Sequence, residues 1–190
     1  MRLENKVAAG AVAALALIAV LQLGLQRLQA RAAHAAVEPP APASLIIPVQ
    51  GVATLDLADT WGAARAKGRS HQGIDILAPA RTPVLAAQDG VIARFFDSER
   101  GGITIYEYDR SGRFVFYYAH LSAREAGLRE GDRVRQGQVI GYVGETGNAT
   151  TPHLHFEIQR LGPEHKWWRA QAINPYPWLI DEHMPREQAQ

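Results

Sequence analysis

The sequence predicts a mainly β domain of antiparallel strands, preceded by a single N-terminal hydrophobic helix. From Leu45 onward, short runs rich in β-branched and aromatic residues alternate with glycine, proline and aspartate turns, a pattern typical of antiparallel proteins. Ahead of these runs, residues 7–25 are apolar or small, interrupted only by Gln22. Two short stretches, residues 59–67 and 122–127, are predicted as short helices. The β-rich part therefore sets the fold class.

Seven segments have the pattern of strands, because each is a short apolar or alternating run bounded by turn residues. They are residues 45–48, 84–87, 91–96, 103–108, 114–119, 139–143 and 155–158. Between two of these runs, Asp109-Arg-Ser-Gly112 predicts a hairpin turn. A connection of this length favours an antiparallel pair.

The N-terminal part is predicted to be a membrane anchor. Residues 1–6 are a charged segment, and the apolar run 7–25 approaches the about 20 residues that a helix needs to span a bilayer. A cleaved signal peptide is the alternative, since Ala33 and Ala35 have the small-residue spacing of a cleavage site. We expect an uncleaved anchor, because the run is long and residues 26–31 carry charge. Residues 26–44 are predicted to be a stalk and Pro-rich linker, and residues 182–190 a disordered tail.

The composition argues against a nucleic-acid-binding protein and against a cysteine-based site. The chain has 190 residues and a formal net charge of +1, and its basic residues are scattered, so nucleic-acid binding has no electrostatic support. It has no cysteine, which excludes disulfides and thiolate-bound zinc. One globular domain over residues 45–181 accounts for the remaining length. The oligomeric state is left open.

Two histidine motifs carry the candidate chemistry: His71-Gln-Gly-Ile-Asp75 and His153-Leu-His155. On a strand, residues two apart project to the same face, so His153 and His155 would point into one cleft with Glu157 following them. Glu157 is then placed to orient an imidazole. The intervening Leu154 and Phe156 would face the core, and the flanking glycines put His71 in a loop that leads into a strand carrying Asp75.

A further histidine, His120, ends the apolar run 114–120, and alternation predicts that it shares a face with Phe114, Phe116 and Tyr118. A lone histidine on such a strand is more often a hydrogen-bonded core residue than a ligand. The joint presence of the two histidine motifs, in a chain with seven histidines, favours a metal site. A catalytic zinc takes three protein ligands and keeps one open position, so the motifs predict a metallohydrolase. No His-Glu-x-x-His motif is present, which excludes a thermolysin-like site.

At these motifs the chain resembles the M23 family of peptidoglycan metalloendopeptidases, the lysostaphin-type or LytM-like domain. The resemblance extends from about residue 47 to residue 180 and lies in residues 61–65, 71–75, 82–90, 118–121, 131–141, 144–147, 153–157 and 174–175. It implies a mainly β, antiparallel domain with a zinc-binding groove. Carried over residue by residue, it implies that His71, Asp75 and His155 bind Zn²⁺ and that His120 and His153 act in catalysis.

The resemblance also implies a substrate and a location. The substrates are the stem peptides and peptide cross-links of peptidoglycan, hydrolysed through a zinc-activated water, with one of His120 and His153 as general base and the other stabilising the oxyanion. The sequence does not assign these two roles, and it does not show which cross-link is cut. Because the wall lies outside the cytoplasmic membrane, we expect a single-pass protein with its catalytic domain on the outer side. Secretion after signal cleavage is the alternative.

Two other functions compete with hydrolysis. Some proteins of this family are non-catalytic activators of other wall hydrolases, but all five site positions are filled here. Residues 130–141 also resemble biotinyl and lipoyl carrier domains, but no lysine occupies a hairpin tip there. Trp167 and Trp168 are either a wall of the groove or part of a C-terminal segment packed across the domain, and we expect the second.

Overall fold

The computed structural model describes Gln22 and residues 45–180. The predicted segments 1–6, 7–25, 26–44 and 182–190 lie outside the described residues, apart from Gln22, and the anchor remains a prediction. Within the described part of the chain, no helix has the length and apolar character needed to cross a membrane. The predicted domain 45–181 is described up to residue 180.

Antiparallel strands are the main regular secondary structure of the described domain. In chain order they are β1 (Ala64–Arg65), β2 (Arg69–Ser70), β3 (Ile74–Leu77), β4 (Pro83–Leu85), β5 (Gly90–Ser98), β6 (Gly102–Asp109), β7 (Phe114–Leu121), β8 (Ala123–Arg124), β9 (Arg133–Val134), β10 (Val139–Tyr142), β11 (His153–Arg160) and β12 (Gln171–Ile173). Short 3-10 helices span Thr54–Asp56, Ala66–Gly68 and Trp167–Arg169, and a short α-helix, α1, spans Tyr176–Ile180. The predicted mainly β, antiparallel class is confirmed.

A seven-stranded sheet forms the main layer, in the order β12-β11-β7-β6-β5-β9, with β3 also paired to β11. A three-stranded sheet in the order β4-β10-β8 lies against it, and the small β1-β2 ribbon stands apart. One apolar cluster joins the two larger sheets. It contains Phe116 and Phe156 from the main sheet and Val84 and Ile140 from the smaller one, all fully buried. This core fixes the strands whose opposite face carries the histidines.

Six of the seven predicted strands are present with shifted ends, and so is the predicted turn at residues 109–112. In that turn the N–H of Gly112 donates to the Asp109 carbonyl at 3.1 Å. The prediction for residues 45–48 is wrong. The segment runs beside β4, and the Leu85 N–H donates to the Pro48 carbonyl at 3.0 Å, but Pro48 has no N–H to continue a ladder.

Both short helices predicted from the sequence are wrong. Residues 59–67 instead include β1 and the start of a 3-10 helix, because Gly62 and Gly68 adopt left-handed φ angles of 76° and 68° that end any α-helical path. Residues 122–127 include β8, which pairs with β10. In both places strand pairing outweighs the helix propensity of the local sequence.

A buried carboxyl lies in the core of the main sheet. Glu107 on β6 is fully buried, and the Tyr118 hydroxyl donates to its Oε2 at 2.6 Å. Its Oε1 has no hydrogen-bond partner. Burial is the main cause that raises the pKa of Glu107 to about 8, so the group is protonated at neutral pH.

A β-bulge near the end of β7 changes the direction of one predicted site residue. The pairing of β6 with β7 shifts register between Ile103 and Ile105, and His120 has a left-handed φ of 61°. The extra residue turns the His120 side chain into the groove and gives its place on the core face to Leu121. The predicted common face of His120 with Phe114, Phe116 and Tyr118 is therefore wrong.

Candidate active site

One open groove of about 890 Å³ contains all five residues predicted to form the site. Its lining includes His71, Asp75, His120, His153 and His155. They come from four places in the chain: the loop before β3, β3 itself, the bulge of β7, and β11. Adjacent registers bring them together, since β11 pairs with β3 on one side and with β7 on the other.

Three donor atoms converge at the centre of the groove. His71 Nε2 and His155 Nδ1 are 2.8 Å apart, and Asp75 Oδ1 lies 3.0 Å from the first and 3.1 Å from the second. Asp75 and His155 are direct cross-strand neighbours in the β3–β11 pair. His71 is in the loop and Asp75 on the strand, as predicted. Within the described residues, these three side chains are grouped closely enough to hold a metal ion.

The outer ring nitrogens of the two histidines are held by fixed acceptors. His71 Nδ1 donates to the Thr60 carbonyl at 2.7 Å, and His155 Nε2 donates to Glu157 Oε1 at 2.8 Å. A carbonyl only accepts hydrogen bonds, so the His71 proton is on Nδ1 and its Nε2 carries the lone pair. By the same reasoning, the lone pair of neutral His155 is on Nδ1. Glu157 therefore orients an imidazole, as its place on β11 predicted.

With both imidazoles neutral, three acceptors face one another, which favours a cation between them: a metal ion or, without one, a proton on His155. Zinc bonds of about 2.0–2.1 Å in tetrahedral geometry separate two ligand atoms by about 3.3 Å, so the three atoms, now 2.8–3.1 Å apart, need to open by only a few tenths of an ångström to hold zinc. Burial acts to lower the pKa of His155, but Asp75 and Glu157 outweigh it and raise that pKa to about 9. Burial likewise acts to raise the pKa of Asp75, yet hydrogen bonds with His155 and His71 hold it well below its usual range. Both shifts report a site that stabilises positive charge.

The remaining two histidines lie beside this centre and leave one nitrogen free. His120 Nδ1 donates to the Thr146 carbonyl, and His153 Nδ1 donates to the Thr151 carbonyl, each at 2.8 Å. Their Nε2 atoms are therefore the ones with a lone pair available. The two rings are 4.8 Å apart between centroids, and His153 Nε2 is 3.6 Å from Asp75 Oδ1. His155 Nδ1 is closer to the same oxygen, at 3.1 Å, so the structure groups His155, and not His153, with His71 and Asp75 in the trio that could hold a metal ion.

Burial sets the charge of His120. Burial is the largest cause that lowers the pKa of His120 to about 4, so its imidazole is neutral at pH 7. A neutral imidazole with a free Nε2 accepts protons. The bulge of β7 thus places a proton acceptor at the edge of this trio.

The sequence model of peptidase family M23 matches residues 69–175. The chain belongs to peptidase family M23. The M23 domain is 40% identical over 90 residues to peptidoglycan DD-endopeptidase ShyC of Vibrio cholerae. That alignment covers 47% of this chain and 20% of ShyC. It is 38% identical over 113 residues to glycyl-glycine endopeptidase ALE-1 of Staphylococcus capitis, covering 59% of this chain and 30% of that protein. The chain thus spans less than a third of either relative.

Solved structures show the same fold. The catalytic domain of lysostaphin from Staphylococcus simulans superposes on this M23 domain with a TM-score of 0.57 and 31% sequence identity. The match covers 67% of this chain and 96% of that domain. The resemblance drawn from the histidine motifs is confirmed.

Two residues of the M23 site had no role assigned from the sequence. Arg65 contacts Oδ2 of Asp75, which leaves Oδ1 for the trio. The Thr60 hydroxyl oxygen accepts from the backbone N–H of Asp75 at 3.0 Å, and the Thr60 carbonyl accepts from His71 Nδ1. Arg65 lies in a stretch already matched to the family, so the motif was a usable signal. Thr60 acts on His71 through its backbone carbonyl, for which the sequence has no signal.

Trp167 and Trp168 differ in how they pack on the domain. The C-terminal aromatics Tyr176 and Trp178 do pack against the core of the M23 domain. Trp168, by contrast, is 60% exposed, and Trp167 lies on Tyr106, a residue that lines the groove. The expected packing of this segment across the domain therefore holds for Trp167, which contacts Phe96 and Tyr106, and is wrong for Trp168.

Proposed function

We propose that this chain is a zinc metalloendopeptidase that hydrolyses peptide cross-links of bacterial peptidoglycan. The observation that carries the proposal is the convergence of three lone-pair donors in an open groove, with two further histidines beside them. Membership of family M23 supports the reaction class, since relatives are named as peptidoglycan and glycyl-glycine endopeptidases.

His71, Asp75 and His155 would hold the metal through Nε2, Oδ1 and Nδ1. Two imidazoles and one carboxylate suit zinc, and a three-ligand set is typical of a catalytic site with an open position. Zinc bound there lowers the pKa of a water and polarises a peptide carbonyl. Glu157 and Thr60 keep the two imidazoles in the required orientation and protonation state.

His120 and His153 would move protons and stabilise charge. Each ring is anchored through Nδ1, so its Nε2 is presented to the groove without a change of rotamer. One neutral ring accepts a proton from the attacking water, and the other ring, when protonated, donates a hydrogen bond to the oxygen that gains charge. The family's non-catalytic activators are the rival class, and the complete set of five residues favours catalysis.

The placement of the domain is part of the same proposal. Residues 7–25 would anchor the chain in the cytoplasmic membrane, residues 26–44 would form a stalk, and residues 45–181 would act on the outer side, where the wall lies. Recovery of the full-length protein in the membrane fraction, with an intact N-terminus by mass, would support this. A soluble protein that begins near Ala36 would show cleavage and secretion instead.

Digestion of purified peptidoglycan by the full-length protein tests the function. We expect release of peptide fragments, identified by mass, from the wild type and from Leu55→Ala, a variant of a 99% exposed residue outside the groove. His71→Ala should release none. A wild-type protein that binds zinc yet releases no fragments would favour the activator class. The masses also identify which bond is cut.

A further inference from the structure

We propose that an aromatic surface beside the metal-binding trio binds sugar rings of the glycan strand that carries the stem peptide. We call this surface the aromatic platform; it consists of Phe96, Tyr106, Tyr117, Trp167 and Trp168. The assignment rests on the function proposed above, because it names a part of the same polymer. It adds a subsite for the glycan to a groove whose chemistry acts on the peptide.

The aromatic platform is continuous from ring to ring up to a metal-binding residue. Trp168 meets Trp167 with ring centroids 5.5 Å apart, and Trp167 meets Tyr106 at 4.4 Å. Tyr106 meets Tyr117 at 4.7 Å, and Tyr117 meets His155 edge-on at 6.0 Å. Phe96, Tyr106 and Tyr117 line the same groove as the histidines. A polymer bound at the trio can therefore extend over these rings.

The loop between β11 and β12 holds the tryptophans in place. The Tyr108 hydroxyl donates to the His165 carbonyl at 3.3 Å, and His165 Nδ1 donates to the Gly112 carbonyl at 3.0 Å. These contacts fix the loop to β6 and to the turn that follows it. Trp167 then packs on the side chains of β5 and β6. The rings are preorganised, which reduces the entropy lost when a ligand binds.

The outer part of the platform is exposed apolar surface. Trp168 is 60% exposed and Phe96 is 42% exposed, although a tryptophan buries a large area when packing permits. A contiguous exposed apolar surface beside a groove is typical of a ligand-binding or interaction site. Such a surface needs a ligand with flat apolar faces.

Charge and shape select the glycan over the stem peptide. Glu164 pairs with Lys166 at 3.1 Å and with Arg169 at 3.2 Å, which leaves these three side chains beside the tryptophans with a net charge of +1. All three are at least 42% exposed, so water screens this charge and an acidic stem peptide gains little from it. The strand of N-acetylated sugars is neutral apart from the attached peptides, and each pyranose ring presents a face of C–H groups that stacks on an aromatic ring. The platform matches that chemistry.

A pair of soluble substrates tests the proposal with the full-length protein. One is a cross-linked peptide dimer that keeps its disaccharides, and the other is the same dimer after removal of the sugars. We expect the wild type to show the higher kcat/KM on the sugar-bearing dimer. Trp168→Ala should lower that value about two- to tenfold, the worth of one aromatic contact, and leave the sugar-free dimer unaffected. Trp168→Phe, which keeps a flat ring, should retain most of the preference.

Direct binding separates this proposal from the proposed function. The wild-type chain is titrated with an N-acetylglucosamine tetramer and followed by calorimetry; Trp168→Ala should weaken binding and Leu55→Ala should not. If the wild type cuts neither dimer, the peptidase proposal fails while the titration still tests the platform. Absence of tetramer binding overturns the glycan assignment. So does an equal loss on both dimers, which would show contact with the peptide, or no loss on either.

Discussion

Replacing Glu157 should weaken zinc binding without removing any of the three ligands. Glu157 Oε1 accepts the Nε2 proton of His155 at 2.8 Å, while Gln159 Nε2 donates to the other carboxylate oxygen at 2.5 Å. The Glu157 side chain is 11% exposed, so water replaces the lost contact poorly. Without Glu157, His155 is free to rotate and to exchange its tautomer, and Nδ1 is a weaker ligand.

The expected magnitude depends on what replaces the carboxylate. A hydrogen bond to a charged group contributes about 1.5–3 kcal/mol, so Glu157→Ala should lower zinc affinity about 10- to 100-fold. Glu157→Gln keeps an acceptor but loses the charge, and charge-assisted bonds are about twice as strong as neutral ones. We therefore expect a loss of about fivefold for Glu157→Gln. Gln159→Ala is the matched control and should change the affinity by about twofold or less.

Competition with a chromogenic chelator at pH 7 measures these affinities, and circular dichroism confirms that each variant is folded. The predicted order of affinity is wild type and Gln159→Ala first, then Glu157→Gln, then Glu157→Ala. A folded Glu157→Ala protein with wild-type affinity would refute the reasoning, because it would show that His155 needs no support from Glu157.

Three further predictions concern catalysis, stability and packing. His120→Ala and His153→Ala should fold and bind zinc but lose about 100-fold or more of the rate of peptidoglycan hydrolysis. Loss of zinc from His153→Ala would contradict the assignment of His155 as the metal ligand and His153 as the catalytic residue. The pKa of Glu107 is 4.5 in the unfolded state and about 8 in the folded state. As the pH rises, the unfolded state releases its proton first, so the free energy of unfolding should fall by about 1.4 kcal/mol per pH unit between those two values. Urea denaturation of Glu107→Gln should lack that slope; an identical slope would contradict the assignment. A Cβ on Gly73 would lie 2.5 Å from a backbone oxygen of β11, so Gly73→Ala should lower the free energy of unfolding by about 1–3 kcal/mol and weaken zinc binding. Gly162 has open space around it, so Gly162→Ala should change neither quantity. Urea denaturation and chelator competition measure the two effects.

Strand periodicity predicted the part of the site that lies on β11. His153, His155 and Glu157 all line the groove, while Leu154 and Phe156 are fully buried. The prediction succeeds because β11 is regular over its whole length, so alternation of faces holds at each residue.

The same periodicity failed at His120 because β7 is irregular there. The bulge depends on contacts from distant parts of the chain: the N–H of His120 donates to the Gly101 carbonyl at 2.8 Å, and its ring donates to Thr146. Non-glycine residues seldom adopt a left-handed φ, and nothing in the local run 114–121 marks the position. Tertiary contacts decided this orientation.

Short edge strands and the exposure of Trp168 were missed for a related reason. β1 and β8 have two residues each, and they are strands only because a partner lies beside them. Trp168 lies in the same aromatic C-terminal stretch as Tyr176 and Trp178, which do pack against the core, so local composition did not separate the exposed Trp168 from Trp178. Burial of an aromatic residue is set by the path of its loop.

Zinc titration of the metal-free, full-length protein during peptidoglycan digestion tests the central claim most directly. The account predicts no release of peptide fragments at the start, a rise in rate with each addition of zinc, and saturation at one zinc per chain, with Asp75→Ala inactive at the same zinc concentrations. Full activity of the metal-free protein, or a wild-type protein that takes up one zinc and still releases no fragment, would contradict it.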